Sequence, residues 1–546
     1  LAALISGTVF FSRMYVRFTV PIAKVGASYT EGVIGDPHTV NPLFASRDTD
    51  RSLARLIFSS LLTYDANGTI QNDLAESYEM SSDGKTYTVV LKKNAVWHDG
   101  KPLTADDVLF TIKLTQNPLY KSPLRANWQG VQIEALDPNT VRFSLRTPYA
   151  PFIENLTIGI IPKHLWENIT PDQIPLHELS IKPIGSGPYQ FYDLAQNTDG
   201  SISSYTLTRN KTYYREGPYL KTLVFIFFQN EDEIMAAWRK GTIDGFGPAF
   251  AKHIPDLETR NAAIYSIRMP RLFGIFFNDQ KAPVLQEKAV REAIVRAIDK
   301  SRIAELGASG GAVPIDSPLP SNSEENQSAQ PRFPYNPEVS RQLLESAGWK
   351  DTDGDGIREK TIKKQRGKET KLELRFILVT SDWADLLRSA ELIKEMLKEV
   401  GIELIIEKQT FTDLESLVIR PRNFQMLLFG QVYGFEADPF AFWHSSQIKD
   451  PGLNIALYAS SKADRLLEVA RTMGDPELRR KTYEEFSTLL SNDIPAVFLF
   501  SQLYLYLLPA DLKGTHFAEI SLPADRFNEV TQWYRATKRI FQWRKN

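Results

Sequence analysis

Apolar and polar positions alternate most cleanly between residues 74 and 118, LAESYEMSSDGKTYTVVLKKNAVWHDGKPLTADDVLFTIKLTQNP. The pattern runs into a turn at Ser82-Asp83-Gly84 and leaves it with Tyr87, Val89 and Leu91 on one face, the period of a half-buried strand. A second turn follows at Asp99-Gly100. Thr104, with Asp107 three residues on, then opens a helix that carries Val108, Ile112 and Leu114 inward. Hairpin, turn and capped helix make a fold signature, and no catalytic group stands out in it.

Elsewhere strands and helices alternate. Residues 29–35 predict a first strand, followed by the rigid Asp36-Pro37…Asn41-Pro42 loop, and 52–62 predict a helix with Leu53, Leu56, Ile57 and Leu61 inward. Strands are expected at 140–145, 184–192 and 205–209, and the apolar run 223–228 suits a strand buried on both faces. A helix at 232–240 leads to a short strand entry at Gly241–Asp244. A second unit begins near Met269, with a strand at 272–278 and amphipathic helices at 290–306, 339–347 and 383–400. Gly401 stops the last of these, a strand follows at 402–406, residues 462–492 read as helical, and 495–508 is apolar and strand-like. Residues 307–337 are rich in Pro, Ser and Gly, a long connection suited to a cleft rim.

A chain of 546 residues with 42% hydrophobic content has material for two to four domains with sizeable cores. Its 64 basic and 66 acidic residues nearly cancel, so nothing points to nucleic acid as a partner. There are no cysteines, which excludes a lipid-modified cysteine as anchor and leaves the redox compartment open. Residues 1–11 are apolar and Arg13 and Arg17 follow; eleven residues are too few to span a bilayer, which needs about 20. Two readings stand: a truncated signal-anchor, with the mature domain starting near Ser28, or a buried or interfacial helix.

Several phrases, in order, resemble the family 5 extracytoplasmic solute-binding proteins, the peptide, dipeptide and nickel receptors of ABC importers. They are Leu74–Tyr78, Ser82–Thr88, Trp97–Pro102, Thr104–Val108, Gly185-Ser186-Gly187-Pro188-Tyr189, Arg209–Tyr214, Phe277-Asn278, Val290–Ile294 with Ala297–Asp299, and Asp438-Pro439. The resemblance covers roughly residues 28–535. It implies an α/β, two-lobed type II periplasmic-binding-protein-like fold with an extra subdomain in the first lobe and a two-crossing hinge. On that pattern 1–27 is anchor and linker; 28–67, 181–268 and 496–535 form the first-lobe core; 68–180 is the extra subdomain; 269–495 is the second lobe; and 536–546 is a tail. Hinge crossings are expected near 266–275 and 492–500. The implied function is capture of a peptide between the lobes and delivery to ABC permease subunits with cytoplasmic ATPases. The implied protein is a non-enzymatic monomer outside the cytoplasm, tethered to the membrane by its N-terminal segment.

Rival readings are a receptor for a nickel or other metal chelate or for an oligosaccharide and, more remotely, a secreted hydrolase. The seven histidines are scattered without paired-ligand spacing, and no Gly-x-Ser-x-Gly elbow occurs. Asp438, His444 and Ser445 offer triad residue types, but geometry, not crowding, defines a triad. His98, in a turn before glycine, reads as a structural hydrogen-bonding residue. Asp351, Asp353 and Asp355 have the spacing of half an EF-hand loop, with Glu359 at position 9 and Ile362 where a bidentate Glu belongs. A structural calcium and a plain Asp/Gly-rich turn are both open.

Residues 431–439 resemble the second-lobe loop that faces the ligand. In the peptide branches an Asp three residues before the Asp-Pro step pairs with the peptide ammonium; here that place is Phe435. An enclosed ammonium without a partner is strongly disfavoured. Either Glu436 or Asp438 substitutes, or the ligand is not held by a free amine. Asn41, Phe44, Ser46 and Gly434 are expected to line the cleft. Trp128, Trp383, Tyr433, Phe435 and Trp443 are candidate pocket aromatics, and Arg271 a candidate for a carboxylate.

Overall fold

A computed structural model describes residues 18–249, 262–308, 310–319, 332–363, 369–435 and 437–541. Its backbone is an eleven-stranded mixed sheet that passes through both lobes. The order is Glu403–Gln409, Arg375–Ser381, Met426–Val432, Ala262–Phe277, Ala496–Pro509, Gly245–Phe246, Ser28–Ile34, Thr222–Phe228, Ile202–Arg209 and Tyr189–Gln196, with Ala312–Pro314 beside Ala496–Pro509. Two antiparallel strands of 16 and 14 residues, Ala262–Phe277 and Ala496–Pro509, form the bridge.

Their ladder breaks where the lobes meet. Arg268 pairs with Leu503, and the next partners are Leu272 and Ser501. The extra residues are Met269, Pro270 and Arg271; Pro270 has no N–H to give a ladder, which favours a bulge at this point. The second crossing therefore falls at 501–503, just beyond the 492–500 expected. Ala496–Phe500 accordingly packs with second-lobe residues, and Tyr504, Tyr506 and Leu508 pack with the first.

One continuous core joins strand and helix residues of the first lobe with Leu74–Ile174, so the segment 68–180 shares its apolar interior with that lobe. The signature segment folds as its pattern predicts. Thr86–Leu91 buries Tyr87, Val89 and Leu91 on one face. Asp107 accepts the Thr104 N–H at 2.9 Å in a capping box, and Val108, Ile112 and Leu114 are buried. Deep in the first lobe, the Arg526 guanidinium donates to Glu31 Oε1 at 2.9 and 3.0 Å, while the Tyr29 and Tyr506 hydroxyls donate to Oε2. This cluster ties the C-terminal segment to the first strand.

Several boundaries move for local reasons. The helix expected at 52–62 runs Asp48–Ile57, its acidic first turn matching the helix dipole, and Leu61 is buried just beyond it. The strand expected at 184–192 is Tyr189–Gln196. Thr222–Phe228 is not buried on both faces; Leu223 and Phe225 are buried and alternate with half-buried neighbours. The helix expected at 290–306 ends at Ala297, because Ile298 is extended and Asp299 caps a new turn through the Arg302 N–H. Residues 462–492 form two helices, Ser461–Thr472 and Pro476–Asp493. Near the chain ends, Thr19–Ala23 pairs with Thr537–Phe541, so linker and tail form one ribbon. Among the described residues no helix is long and apolar enough to cross a membrane; the apolar segment read as an anchor lies outside them.

Candidate functional site

The second-lobe strands Arg375–Ser381, Glu403–Gln409 and Met426–Val432 are parallel, so the loops after Ser381 and Val432 emerge on one edge. That edge, at the carboxyl ends of strands, is where open α/β sheets bind ligands. Further along the chain, Phe440, Glu468 and Arg471 of the second lobe face Arg146, Tyr149 and Glu154 of the first across a cleft of about 850 Å³. A space of about 220 Å³ adjoins it, sharing Asn127, Glu154 and Asn155, and reaches Pro42, Ala45 and Arg51 of the first lobe. The larger volume falls in the range of small-molecule sites.

The loop after Val432, together with Arg471, makes contacts between the lobes. Phe435 is buried with its ring 4.2 Å from that of Tyr64. A Cβ on Gly68 would come within 2.6 Å of the Phe435 ring, so that turn needs glycine for space as well as for its φ of +75°. A Cβ on Gly434 would meet Glu154 Oε2 at 2.7 Å. Asp438 forms an ion pair with Arg471 at 2.9 Å, and the Tyr149 hydroxyl lies 3.5 Å from its carboxylate. The Arg471 guanidinium stacks between Tyr149 and Phe440, at 4.8 and 4.1 Å from the ring centres, and the Ala150 N–H donates to the Arg471 carbonyl at 2.8 Å. Burial, with the Asp438 charge, pushes the Tyr149 hydroxyl pKa up, so it stays protonated.

Several expected lining residues lie elsewhere. Asn41 is buried and turns the chain through its Oδ1, which accepts the Leu43 N–H at 3.0 Å. Phe44 packs on the first-lobe core, and Ser46 is exposed. Tyr433 and Trp443 are buried within the second lobe: the Trp443 indole N–H donates to the Tyr433 hydroxyl at 3.3 Å, which donates to the Pro318 carbonyl at 3.1 Å. Trp128 is buried in the first-lobe core with an edge on the smaller space. Their aromatic surface fills the interior, the commoner fate of large rings. Asp438 is committed to Arg471 and is not a free counter-ion for an amine. Glu436 lies outside the described residues. Trp383 does stand at the edge, 38% exposed, with its ring 5.4 Å from Phe273. Arg271 sits in the bulge between the lobes, partly exposed. Tyr149, Glu154 and Arg471 escaped the sequence reading because residues so far apart carry no shared spacing signal.

At the acidic loop, the carboxylates brought together are Asp351, Asp353 and Glu359; Asp355 is outside the group and accepts the Ile357 N–H instead. Both Asp351 oxygens already accept backbone N–H groups, from Gly354 at 2.7 Å and Gly356 at 3.0 Å. The Lys371 ammonium bonds Asp353, and Thr352 donates to Glu359. Asp353 thus meets a cation from the strand Glu369–Glu373, while Asp351 and Glu359 are engaged by donors of the loop itself.

A family model described as bacterial extracellular solute-binding proteins, family 5 Middle, matches residues 69–452. The chain belongs to this family. Oligopeptide-binding protein AppA of Bacillus subtilis is 29% identical over 529 residues, covering 94% of this chain and 92% of AppA. The nickel-binding periplasmic protein of Escherichia coli is 28% identical over 434 residues, 76% of each chain. The structure of Bacillus subtilis AppA in complex with a nonapeptide superposes with a TM-score of 0.69 at 27% identity, covering 94% of this chain and all of that one. NikZ of Campylobacter jejuni in complex with Ni(L-His) gives 0.69 at 25%, covering 93% and 99%. The fold of this family 5 solute-binding protein is thus the two-lobed type II fold, and its place is outside the cytoplasm.

Proposed function

We propose that this family 5 protein is the peptide receptor of an ABC importer. It captures its solute between the lobes and passes it to a membrane permease driven by cytoplasmic ATPases. The observation that carries this reading is the way the lobes meet. Among the described residues two strands carry the sheet across the lobe boundary, and the remaining contacts named above are a ring pair, a guanidinium stacked on Tyr149 and a few hydrogen bonds at the mouth of a cleft. Contacts of this size are weak enough to break and re-form, so a ligand that touches both lobes shifts the protein toward closure. The cleft is roomy and lined by both charged and apolar groups, which suits a chain held by main-chain hydrogen bonds. Membrane attachment through the N-terminal segment belongs to the same proposal.

Peptide is favoured as the solute class by the oligopeptide-binding relative, which aligns over nearly all of both chains. A metal chelate is the second reading, supported by the nickel-binding relative and by the absence of an acidic residue at Phe435. Native mass spectrometry of the purified protein, followed by calorimetry with peptide pools and with nickel–histidine, separates them. The expected result is a heterogeneous peptide mass that exchanges with added peptide, with a smaller radius of gyration on loading. Binding of nickel–histidine and no peptide would overturn the reading.

A further inference from the structure

We propose that the ribbon formed near the two chain ends is a landing surface for anionic lipid, so that the first lobe stands on the membrane with its cleft end turned away. This rests on the membrane attachment proposed above and adds to it an electrostatic contact made by folded residues.

Charge along the chain points there first. The near-neutral total hides an uneven spread: residues 1–30 hold three basic residues and 530–546 hold five, with no Asp or Glu in either stretch. The 499 residues between carry 56 basic and 66 acidic groups, a net charge of −10 against the +8 of the two ends. An anionic bilayer therefore repels the body of the molecule and attracts its ends.

The fold then gathers both ends into one place. Thr19–Ala23 and Thr537–Phe541 pair with each other and, among the described residues, with no other strand. A lone two-stranded ribbon is marginal in water, so a surface to rest on stabilises it. Ile22 stands opposite Lys538, and the Lys24 N–H donates to the Ala536 carbonyl at 2.9 Å. By strand alternation Val20, Ile22, Lys24 and Lys538 share a face, two half-buried aliphatic side chains flanked by two exposed ammonium groups. Neither ammonium has a partner among the described residues. Phe18 and Val25, beside the two ends of the first strand, are 50% and 42% exposed. Apolar side chains among unmatched lysines suit a bilayer interface, where the stems lie along acyl chains and the ammonium groups meet phosphate.

The base of the ribbon is fixed to the first lobe. Arg535 donates to Asp244 at 3.1 Å, to Asp511 at 3.0 Å and to the Ser28 carbonyl at 3.1 Å, and the Gly26 N–H donates to the Tyr219 carbonyl at 2.9 Å. The carboxylates at the base are thereby matched, and Glu216 accepts the Tyr219 hydroxyl at 2.6 Å. The ribbon joins the strand Ser28–Ile34 at its amino end, whereas the loop carrying Pro42 and Ala45 to the smaller space leaves from its carboxyl end. Seven residues of strand, about 20 Å, lie between them. Lipid held at the ribbon thus leaves the cleft open.

The test is co-sedimentation of the full chain with vesicles of phosphatidylcholine, alone or with about one-third phosphatidylglycerol, at low and high salt. Wild type is expected to bind the anionic vesicles about a hundredfold more tightly, with the difference lost in high salt. Lys24→Gln and Lys538→Gln should each cost about fivefold on anionic vesicles and nothing on neutral ones, with the thermal midpoint unmoved. Lys113→Gln combined with Lys398→Gln makes the same charge change at exposed helix positions elsewhere and should leave binding within about twofold. A control pair as damaging as the ribbon pair would show that lipid reads net charge, and the ribbon assignment falls. Peptide affinity should be the same on vesicles as off them; a loss overturns the orientation. Equal binding to both vesicle types, or ribbon variants that bind as wild type does, overturns the ribbon contact and leaves attachment through the N-terminal segment standing. Binding to neither vesicle overturns both.

Discussion

The Gly185–Tyr189 loop and the loop after Val432 are both short, glycine-containing turns beside a polar side chain, yet they are built to opposite ends. Around Gly185 the chain has no slack. A Cβ there would lie 1.9 Å from the Ile57 carbonyl oxygen, and one on Gly187 2.6 Å from the Ile57 carbonyl carbon. His98 closes the arrangement: its Nδ1 accepts the Gly185 N–H at 3.1 Å, and its Nε2–H donates to the Gly187 carbonyl at 3.1 Å. Around Gly434 the groups meet across the lobe boundary through the Tyr64–Phe435 ring pair, the stacking of Arg471 on Tyr149 and two hydrogen bonds. The first loop locks a lobe, and the second lets two lobes part. Substitutions in the first should therefore strike stability, and those in the second ligand affinity.

The largest effect is expected for Gly185→Ala. Its Cβ would collide with backbone, which cannot step aside as a flexible side chain can. A loss of about 4 kcal/mol or more in unfolding free energy, or failure to accumulate as folded protein, should be seen by denaturant titration. Unchanged stability would mean that the loop has slack after all.

His98 should give the next largest effect, as a pH dependence. Burial is the main cause that drops its pKa from the ordinary 6.5 to about 4. The neutral ring is also what its two hydrogen bonds require, since a protonated Nδ1 could not accept from Gly185. Because the folded-state value is depressed, the unfolded chain takes up the proton first. This contribution is fully present above pH 6.5, falls as the pH drops, and is gone near pH 4. The loss amounts to about 2–3 kcal/mol. Unfolding midpoints of wild type and His98→Gln should converge across that window; parallel curves would place the ring's proton elsewhere.

Phe435→Ala carries the comparison to the lobe boundary. Removing the ring costs the closed state its contact with Tyr64, about 1–2 kcal/mol, while the separated lobes lose little. Affinity should fall about 5- to 30-fold with the ligand-free unfolding transition nearly unmoved. A matching loss of thermal stability would make Phe435 a core residue of a rigid body.

The same contrast explains what could be read in advance. The hairpin, the capping box and the Gly-Ser-Gly turn are local, and their residues lie close enough in sequence for spacing to reveal them; His98 reads as structural from its own turn, but its partners lie 87 and 89 residues away and no spacing names them. The fold class followed from many such local phrases in order. The cleft is the opposite case. Tyr149 and Arg471 meet only because two lobes close, and Tyr433 and Trp443 could be assigned to the interior only once their mutual hydrogen bond was placed. The end of the helix at Ala297 turned on Asp299 as a cap, one residue's side-chain bond overriding a longer apolar stripe.

The smallest effect is also the one that divides two roles for a single residue. Asp438 stands in the loop after Val432, and its carboxylate is held by Arg471 beneath Tyr149. Both partners keep partial access to water, so their pairing is worth about 0.5–1 kcal/mol and is screened by salt. Asp438→Asn removes the charge while its Oδ1 can still accept the Phe440 N–H, now 3.1 Å away. If the carboxylate only holds Arg471 against Tyr149 of the other lobe, affinity should fall about 2- to 5-fold, and added salt should erase the difference from wild type. If the carboxylate instead grips a ligand amine directly, the loss should exceed a hundredfold, persist in salt and spare N-acetylated peptides. Calorimetry at two salt concentrations with acetylated and free-amine peptides tells these apart, and the first outcome is expected because the Asp438 charge is already neutralised by Arg471.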